Sequence, residues 1–128
     1  MLNEFSNIGQ EKEGYRRIFL DEDFELYIWY NQEGGDIVGF QLCYNLRNDE
    51  HSLTWIKGKG YSHSKIDDGE NRPGRMKQSP ILLEDGVFNK KQIARDFKRS
   101  SKSIDVEIAE YIYSKILEFS SKKINSVL

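Results

Sequence analysis

The run Phe24-Glu25-Leu26-Tyr27-Ile28-Trp29-Tyr30-Asn31-Gln32-Glu33-Gly34-Gly35-Asp36-Ile37-Val38-Gly39-Phe40-Gln41-Leu42-Cys43-Tyr44 decides the fold of this 128-residue chain. On both sides of Glu33-Gly34-Gly35 the apolar residues recur every second position, and β-branched and aromatic types dominate, the pattern of strands with one buried face. With those three residues as the hairpin loop and Gly35 left-handed, Tyr30 faces Val38, Ile28 faces Phe40, Leu26 faces Leu42 and Phe24 faces Tyr44. All eight are apolar or aromatic. A slip of one residue would send every one of them to the other face, so the pattern fixes which side is buried.

Working outward, Asn48 and Asp49 are expected to form a two-residue turn that sets Leu42 opposite Trp55 and Tyr44 opposite Leu53. A turn at Asp21 and Glu22 would set Phe19 opposite Phe24. Residues 15–57 therefore read as a four-strand antiparallel meander, preceded by a polar, loosely held lead-in over residues 1–13. The opposite face carries Glu25, Tyr27 and Trp29, then Gly39, Gln41 and Cys43, then Ser52, Thr54 and Ile56. Trp29 should lie across Gly39 and leave a shallow aromatic platform for a later segment, a partner chain or a ligand.

Residues 58–80 break the alternation and read as a long polar loop or a hairpin in which Tyr61–Ile66 pairs with Met76–Glu84, giving four to six strands in all. A helix follows from Lys90 to about Arg99, capped by Asn89, with Gln92 at the capping-box position and Phe88 and Ile93 as the hydrophobic staple. A longer helix after Ser103 has Asp105 and Glu107 near its positive end and Lys122 and Lys123 near its negative end. Its stripe is Ile104, Ile108, Ile112, Ile116 and Phe119, widened by Val106, Ala109, Tyr113 and Leu117. The whole is expected to be one α+β domain over residues 1–128, with a helical layer at 90–123 packed on the apolar sheet face.

The formal charge of −2 gives no general attraction to nucleic acid or to a membrane surface. No stretch approaches the roughly 20 apolar residues of a membrane span, Met1–Gln10 lacks a signal-peptide pattern, and the single cysteine, Cys43, forms no internal disulfide. A cytoplasmic location is expected.

Three constellations bear on function. His63, Asp67, Asp68 and Glu70 combine imidazole with carboxylates, the groups needed for acid and base catalysis or a metal, although their spacing matches no calcium loop or zinc helix and no metal is assigned. Arg72 and Arg75 in the same loop, with Tyr27, Trp29 and Gln41 on the sheet face, are the candidate ligand-binding residues. Lys90, Lys91, Arg95, Lys98, Arg99 and Lys102 against the one acid Asp96 give this segment +5 and leave the remainder at −7. Such a helix suits phosphates, an acidic partner, or the turn Asp21, Glu22, Asp23 of a second subunit. Cys43 reads as a small buried hydrophobe rather than a nucleophile activated by His51 or His63.

The stretches Gly39-Phe40-Gln41-Leu42-Cys43-Tyr44, Asp67-Asp68-Gly69-Glu70, Arg72-Pro73-Gly74-Arg75 and Ser79-Pro80-Ile81-Leu82 together resemble a group of small uncharacterised bacterial proteins, over roughly Gly14 to Phe97. The resemblance implies a compact bacterial cytoplasmic domain and carries no activity across. The first expectation is accordingly a non-enzymatic domain that binds a small polar ligand or a protein through the 57–80 loop and the Tyr27, Trp29, Gln41 face, with no cofactor and with a homodimer as one arrangement. The alternatives are a small hydrolase or lyase built on His63 with Asp67, Asp68 or Glu70, and a nucleic-acid contact through residues 90–102, which the acidic balance disfavours.

Overall fold

Six strands run in chain order across one antiparallel sheet: β1 (Asn3–Glu4), β2 (Tyr15–Leu20), β3 (Phe24–Tyr30), β4 (Ile37–Tyr44), β5 (His51–Ile56) and β6 (Gly60–Lys65). They are followed by α1 (Lys90–Ser100), a 3-10 turn (Ser101–Ser103) and α2 (Val106–Glu118). The computed structural model describes residues 1–6, 8–10, 13–47, 49–66 and 89–119. Alternation sorts the sheet as its period of two requires: Phe24, Leu26, Ile28, Phe40, Leu42, Leu53 and Trp55 share one buried face, and Phe97, Ile108, Ile112 and Ile116 of the helices pack onto it. Phe24 meets Phe97 edge-on with ring centroids 5.9 Å apart, and Trp55 meets Tyr111 at 6.1 Å. The chain is thus an α+β fold with a short and a longer helix on one side of an antiparallel meander.

Register follows turn chemistry, and here four expectations are corrected. Phe24, Leu26 and Ile28 do face Tyr44, Leu42 and Phe40, but a bulge at Val38 sets Tyr30 opposite Ile37 instead of Val38. Gly34 is the left-handed residue (φ +76°), whereas Gly35 is needed for space, because a Cβ there would collide with the Asn31 side chain. Between β2 and β3 the two-residue loop is Glu22-Asp23: the Asp21 N–H donates to the Phe24 carbonyl, and the Asp21 carboxylate accepts from the amides of Asp23 and Phe24, both at 2.8 Å. Phe19 consequently faces Leu26, not Phe24. Between β4 and β5, Tyr44 faces His51 instead of Leu53, and Leu42 faces Leu53 instead of Trp55, which pairs with Phe40. Asn45 and Asp49 take left-handed conformations in that longer connection, and Asn48 lies outside the described residues.

The polar 58–80 segment begins as a hairpin. Ile56 pairs with Gly60 across Lys57-Gly58-Lys59, with Gly58 at φ +84° and Gly60 at φ +94°, so β6 adds to β5. Tyr61–Ile66 was expected to pair with Met76–Glu84, which lies outside the described residues.

Nor does the start of the chain hang free, against the expectation of a loose lead-in. Leu2 is buried in the core, its N–H donates to the Ser100 carbonyl at 2.9 Å, and its carbonyl accepts from Ser103 Oγ at 2.6 Å. Arg17 grips Glu4 through two nitrogens at 2.9 and 2.8 Å. Further along, the Gln10 side-chain amide donates to the Arg16 carbonyl and accepts from the Arg16 N–H, each at 3.0 Å, so it stands in for a neighbouring strand on the β2 edge.

Asn89 caps α1 as expected, accepting from the Gln92 N–H at 3.2 Å; Phe88 lies outside the described residues. Helix α2 stops at Glu118, where Phe119 turns extended (ψ +136°), short of the expected 123; Lys122 and Lys123 lie outside the described residues. Its carbonyl end is met by other groups: Lys90 Nζ donates to the carbonyls of Leu117 and Phe119 at 3.0 and 3.1 Å, and Tyr61 Oη donates to that of Lys115 at 3.1 Å. Val106, expected to widen the apolar stripe, is exposed. Replacing Lys90 by Met should lower stability by about 1 kcal/mol, whereas Lys91→Met, at an exposed site, should leave it nearly unchanged. Paired urea titrations check this, and equal losses in the two variants would refute the capping role.

Candidate functional site

The sheet face turned away from the helices is laid out in cross-strand rows. One row reads Arg16, Trp29, Gly39, Ile56; the next reads Ile18, Tyr27, Gln41, Thr54, Ser62; the third reads Leu20, Glu25, Cys43, Ser52, Ser64. Cys43, Ser52 and Ser64 are buried, whereas Trp29, Tyr27, Gln41, Thr54 and Ile56, like Leu20 and Glu25 at the other end of the third row, are half-buried. Trp29 does lie across Gly39. A Cβ built on that glycine would stand 3.2 Å from Trp29 Cε3, 3.0 Å from Ile56 Cδ1 and 2.9 Å from the Trp55 carbonyl oxygen. The indole therefore rests on bare backbone, which only glycine permits.

Polar groups beside the indole are held in place. Thr54 Oγ1 donates to Gln41 Oε1 at 3.3 Å, and Gln41 Nε2 donates to Cys43 Sγ at 3.5 Å. The amide is thereby oriented while one N–H and one lone pair stay available. Tyr27 Oη donates to Glu25 Oε1 at 3.4 Å, and burial, with the nearby Glu25 carboxylate, pushes the phenol up to about 12.

Cys43 is a buried strand residue and not an activated nucleophile. Burial pushes its thiol up to about 12, opposed by the Gln41 hydrogen bond and reinforced by Glu25 and Glu50. It also projects from the face opposite His51 and His63, since Cys43 pairs with Ser52 whereas Tyr44 pairs with His51. Ligand atoms of Glu25, Cys43 and Glu50 all lie within 4.8 Å of one another. Cys43 Sγ is already engaged by the Gln41 amide, so among the described residues the three form a hydrogen-bonded polar patch.

His63 is placed in the interior. It faces Leu53 on the helix-covered side, is buried, and stacks on His51 with centroids 5.3 Å apart, while the Phe119 ring is tilted against it at 6.2 Å. Tyr44 Oη lies 2.5 Å from its Nε2, and the two groups share a hydrogen bond. Burial first, and the neighbouring His51 second, lower its pKa to about 4. Of its expected companions, Asp67, Asp68, Glu70, Arg72 and Arg75 all lie outside the described residues.

Sequence reading missed a cleft of about 580 Å³ between the Glu22-Asp23 turn, the Asn45–Arg47 connection and α1. Phe24, Tyr44 and Ile93 form its apolar lining, and Glu22, Asp23, Arg47, Asp96 and Arg99 bring charges of both signs. Its walls come from two separate connections and a helix, and only the interior Phe24–Tyr44 pairing hinted that the two connections meet. The cations of α1 sort by role: Lys90 caps α2, Arg99 pairs with Asp96 at 3.1 Å, Lys98 Nζ stands 5.2 Å from the Tyr113 ring centroid, and Lys91, Arg95 and Lys102 are exposed.

Comparison with protein-family models, curated proteins and solved structures finds no match to the chain.

Proposed function

We propose that this chain is a non-enzymatic binding domain whose sheet face receives a small, planar, polar ligand on Trp29, Tyr27 and Gln41. The observation that carries the reading is the half-buried indole packed against Gly39, near an amide that two neighbours already orient. A ring stacked on the indole gains apolar contact, and the spare N–H and lone pair of Gln41 select an edge with one acceptor and one donor. Arg16 ends the Trp29 row, its Nε bound to the Gly9 carbonyl at 3.1 Å, with terminal guanidinium nitrogens suited to a polar substituent. The expected share of Arg72 and Arg75 concerns residues outside those described.

The hydrolase or lyase reading loses support because its imidazole is interior, hydrogen-bonded and neutral at ordinary pH. No described helix is long and apolar enough to cross a membrane.

A panel of planar heteroaromatic fragments, screened by two-dimensional NMR, tests the proposal. Hits should shift the Trp29 indole N–H and the Gln41 side-chain amide together, and Trp29→Ala should weaken them by about tenfold or more, given about 1–3 kcal/mol for one stacked ring. Fragments that instead shift only resonances around the Arg47 and Arg99 cleft, or none at all, would overturn the assignment.

A further inference from the structure

Helix α1 carries more like charge than its own fold uses. Two of its cations have internal roles, Lys90 on the α2 carbonyls and Arg99 on Asp96. The remaining four, Lys91, Arg95, Lys98 and Lys102, follow one another at spacings of four, three and four, so they form a single line along one flank of the helix and its 3-10 extension. All four are exposed, and the ion pairs among the described residues include none of them. The line spans roughly 17 Å. The buried positions Ala94 and Phe97 lie to one side of it, so it does not point into the core.

Intrinsic helix physics works against this arrangement. Each successive pair is a like-charge contact at helical spacing, and Lys91 stands in a first turn that holds no acidic residue, where the helix dipole disfavours cations. The neighbouring α2 puts Glu107 and Glu110 at exposed positions without bringing either into an ion pair with the line. Lys98 has a compensating contact, the Tyr113 ring, and Lys98 and Lys102 lie in last turns where the dipole favours cations, so the uncompensated charge is that of Lys91 and Arg95. An arrangement that costs stability within the chain is accounted for if the charge is neutralised from outside.

We infer that this line is the docking surface for an acidic segment of a partner protein, taken up as a helix with carboxylates at matching spacings. The line is one residue wide, which matches a row of side chains on another helix. A phosphate backbone would be better served by a broad positive field, whereas here residues outside 90–102 sum to −7 and would repel a polyanion at longer range. Three of the four cations are lysines, single point charges that suit carboxylates on mobile side chains.

Fluorescence anisotropy at low ionic strength tests this with a labelled synthetic helical peptide bearing glutamates at spacings of four, three and four. A labelled single-stranded oligothymidine and a DNA duplex of similar length serve as comparison probes. The peptide should bind the intact chain and be weakened about tenfold or more by the joint variant K91Q/R95Q/K98Q/K102Q, while E22Q/D23N leaves binding unchanged. Because the glutamine variant removes repulsion inside α1, its thermal transition should not fall, and a second variant, K98Q/K102Q, should lose part of the affinity and keep the fold. Absence of peptide binding, binding indifferent to the glutamine variant, or tighter binding of either nucleic acid than of the peptide would each overturn the inference.

Discussion

Acidification from pH ~6.5 to ~4 is expected to remove up to about 3 kcal/mol of folding stability through one side chain, His63. Its imidazole is buried between His51 and Phe119, and burial, followed by the proximity of His51, lowers its pKa to about 4. In the unfolded chain the same ring titrates near ~6.5, so between the two values the unfolded state binds the proton and the native state does not. The contribution is therefore complete above pH ~6.5, declines as pH falls through the interval, and is gone below the native pKa. The wild-type profile sums over every titrating group, so it alone does not isolate the histidine. His63→Gln keeps a group that can accept from Tyr44 Oη without titrating. Urea titrations of both proteins across the interval should show the wild type losing its advantage over the variant as pH falls. Parallel profiles would mean that the buried imidazole is not the source.

For residues 19–29 and 39–56 the side of the sheet on which each strand residue lies was legible, and the reason is visible in the errors. Two expected registers, Phe19 with Phe24 and Leu42 with Trp55, differ from the observed Phe19 with Leu26 and Leu42 with Leu53 by two residues each. A slip of two preserves every side chain's face, so alternation alone does not penalise it, and turn chemistry has to decide. Asp21 decides one turn by capping it with its own carboxylate, and left-handed Asn45 and Asp49 decide the other. The central hairpin was paired correctly up to Trp29, and for that reason the contact of Trp29 with Gly39 could be foreseen. The bulge at Val38 could not, because nothing in Ile37-Val38 distinguishes an extra residue from a regular one. His63 shows the opposite limit. As a polar residue in a polar stretch it reads as loop chemistry, and only its pairing with Leu53 turns it inward to Tyr44. The cleft near Arg47 and Arg99 was out of reach for a similar reason, being assembled from turns whose geometry alternation does not encode.

Leu2→Ala should cost about 2–4 kcal/mol, a large share of the roughly 5–15 kcal/mol that holds an ordinary domain together. An isolated leucine in a polar stretch carries no periodicity, so sequence assigns it to a loose lead-in, yet it is 1% exposed and belongs to the same core as Phe19 and Phe97. Its backbone ties the β1 strand to the helical layer from both sides, accepting from Ser103 Oγ and donating to the Ser100 carbonyl. Truncation to alanine leaves those backbone bonds in place and removes only the buried methyl groups and isobutyl packing, so the loss reports burial and the space left behind. Phe5, three residues on and larger, is 54% exposed, and Phe5→Ala should change stability by no more than about 0.5 kcal/mol. Transfer scales alone would rank the phenylalanine at least as high as the leucine, so the two variants separate hydrophobicity from location. Urea unfolding of the pair decides it: a Leu2→Ala loss no greater than that of Phe5→Ala would mean that the first strand does not anchor the sheet to the α1–α2 layer.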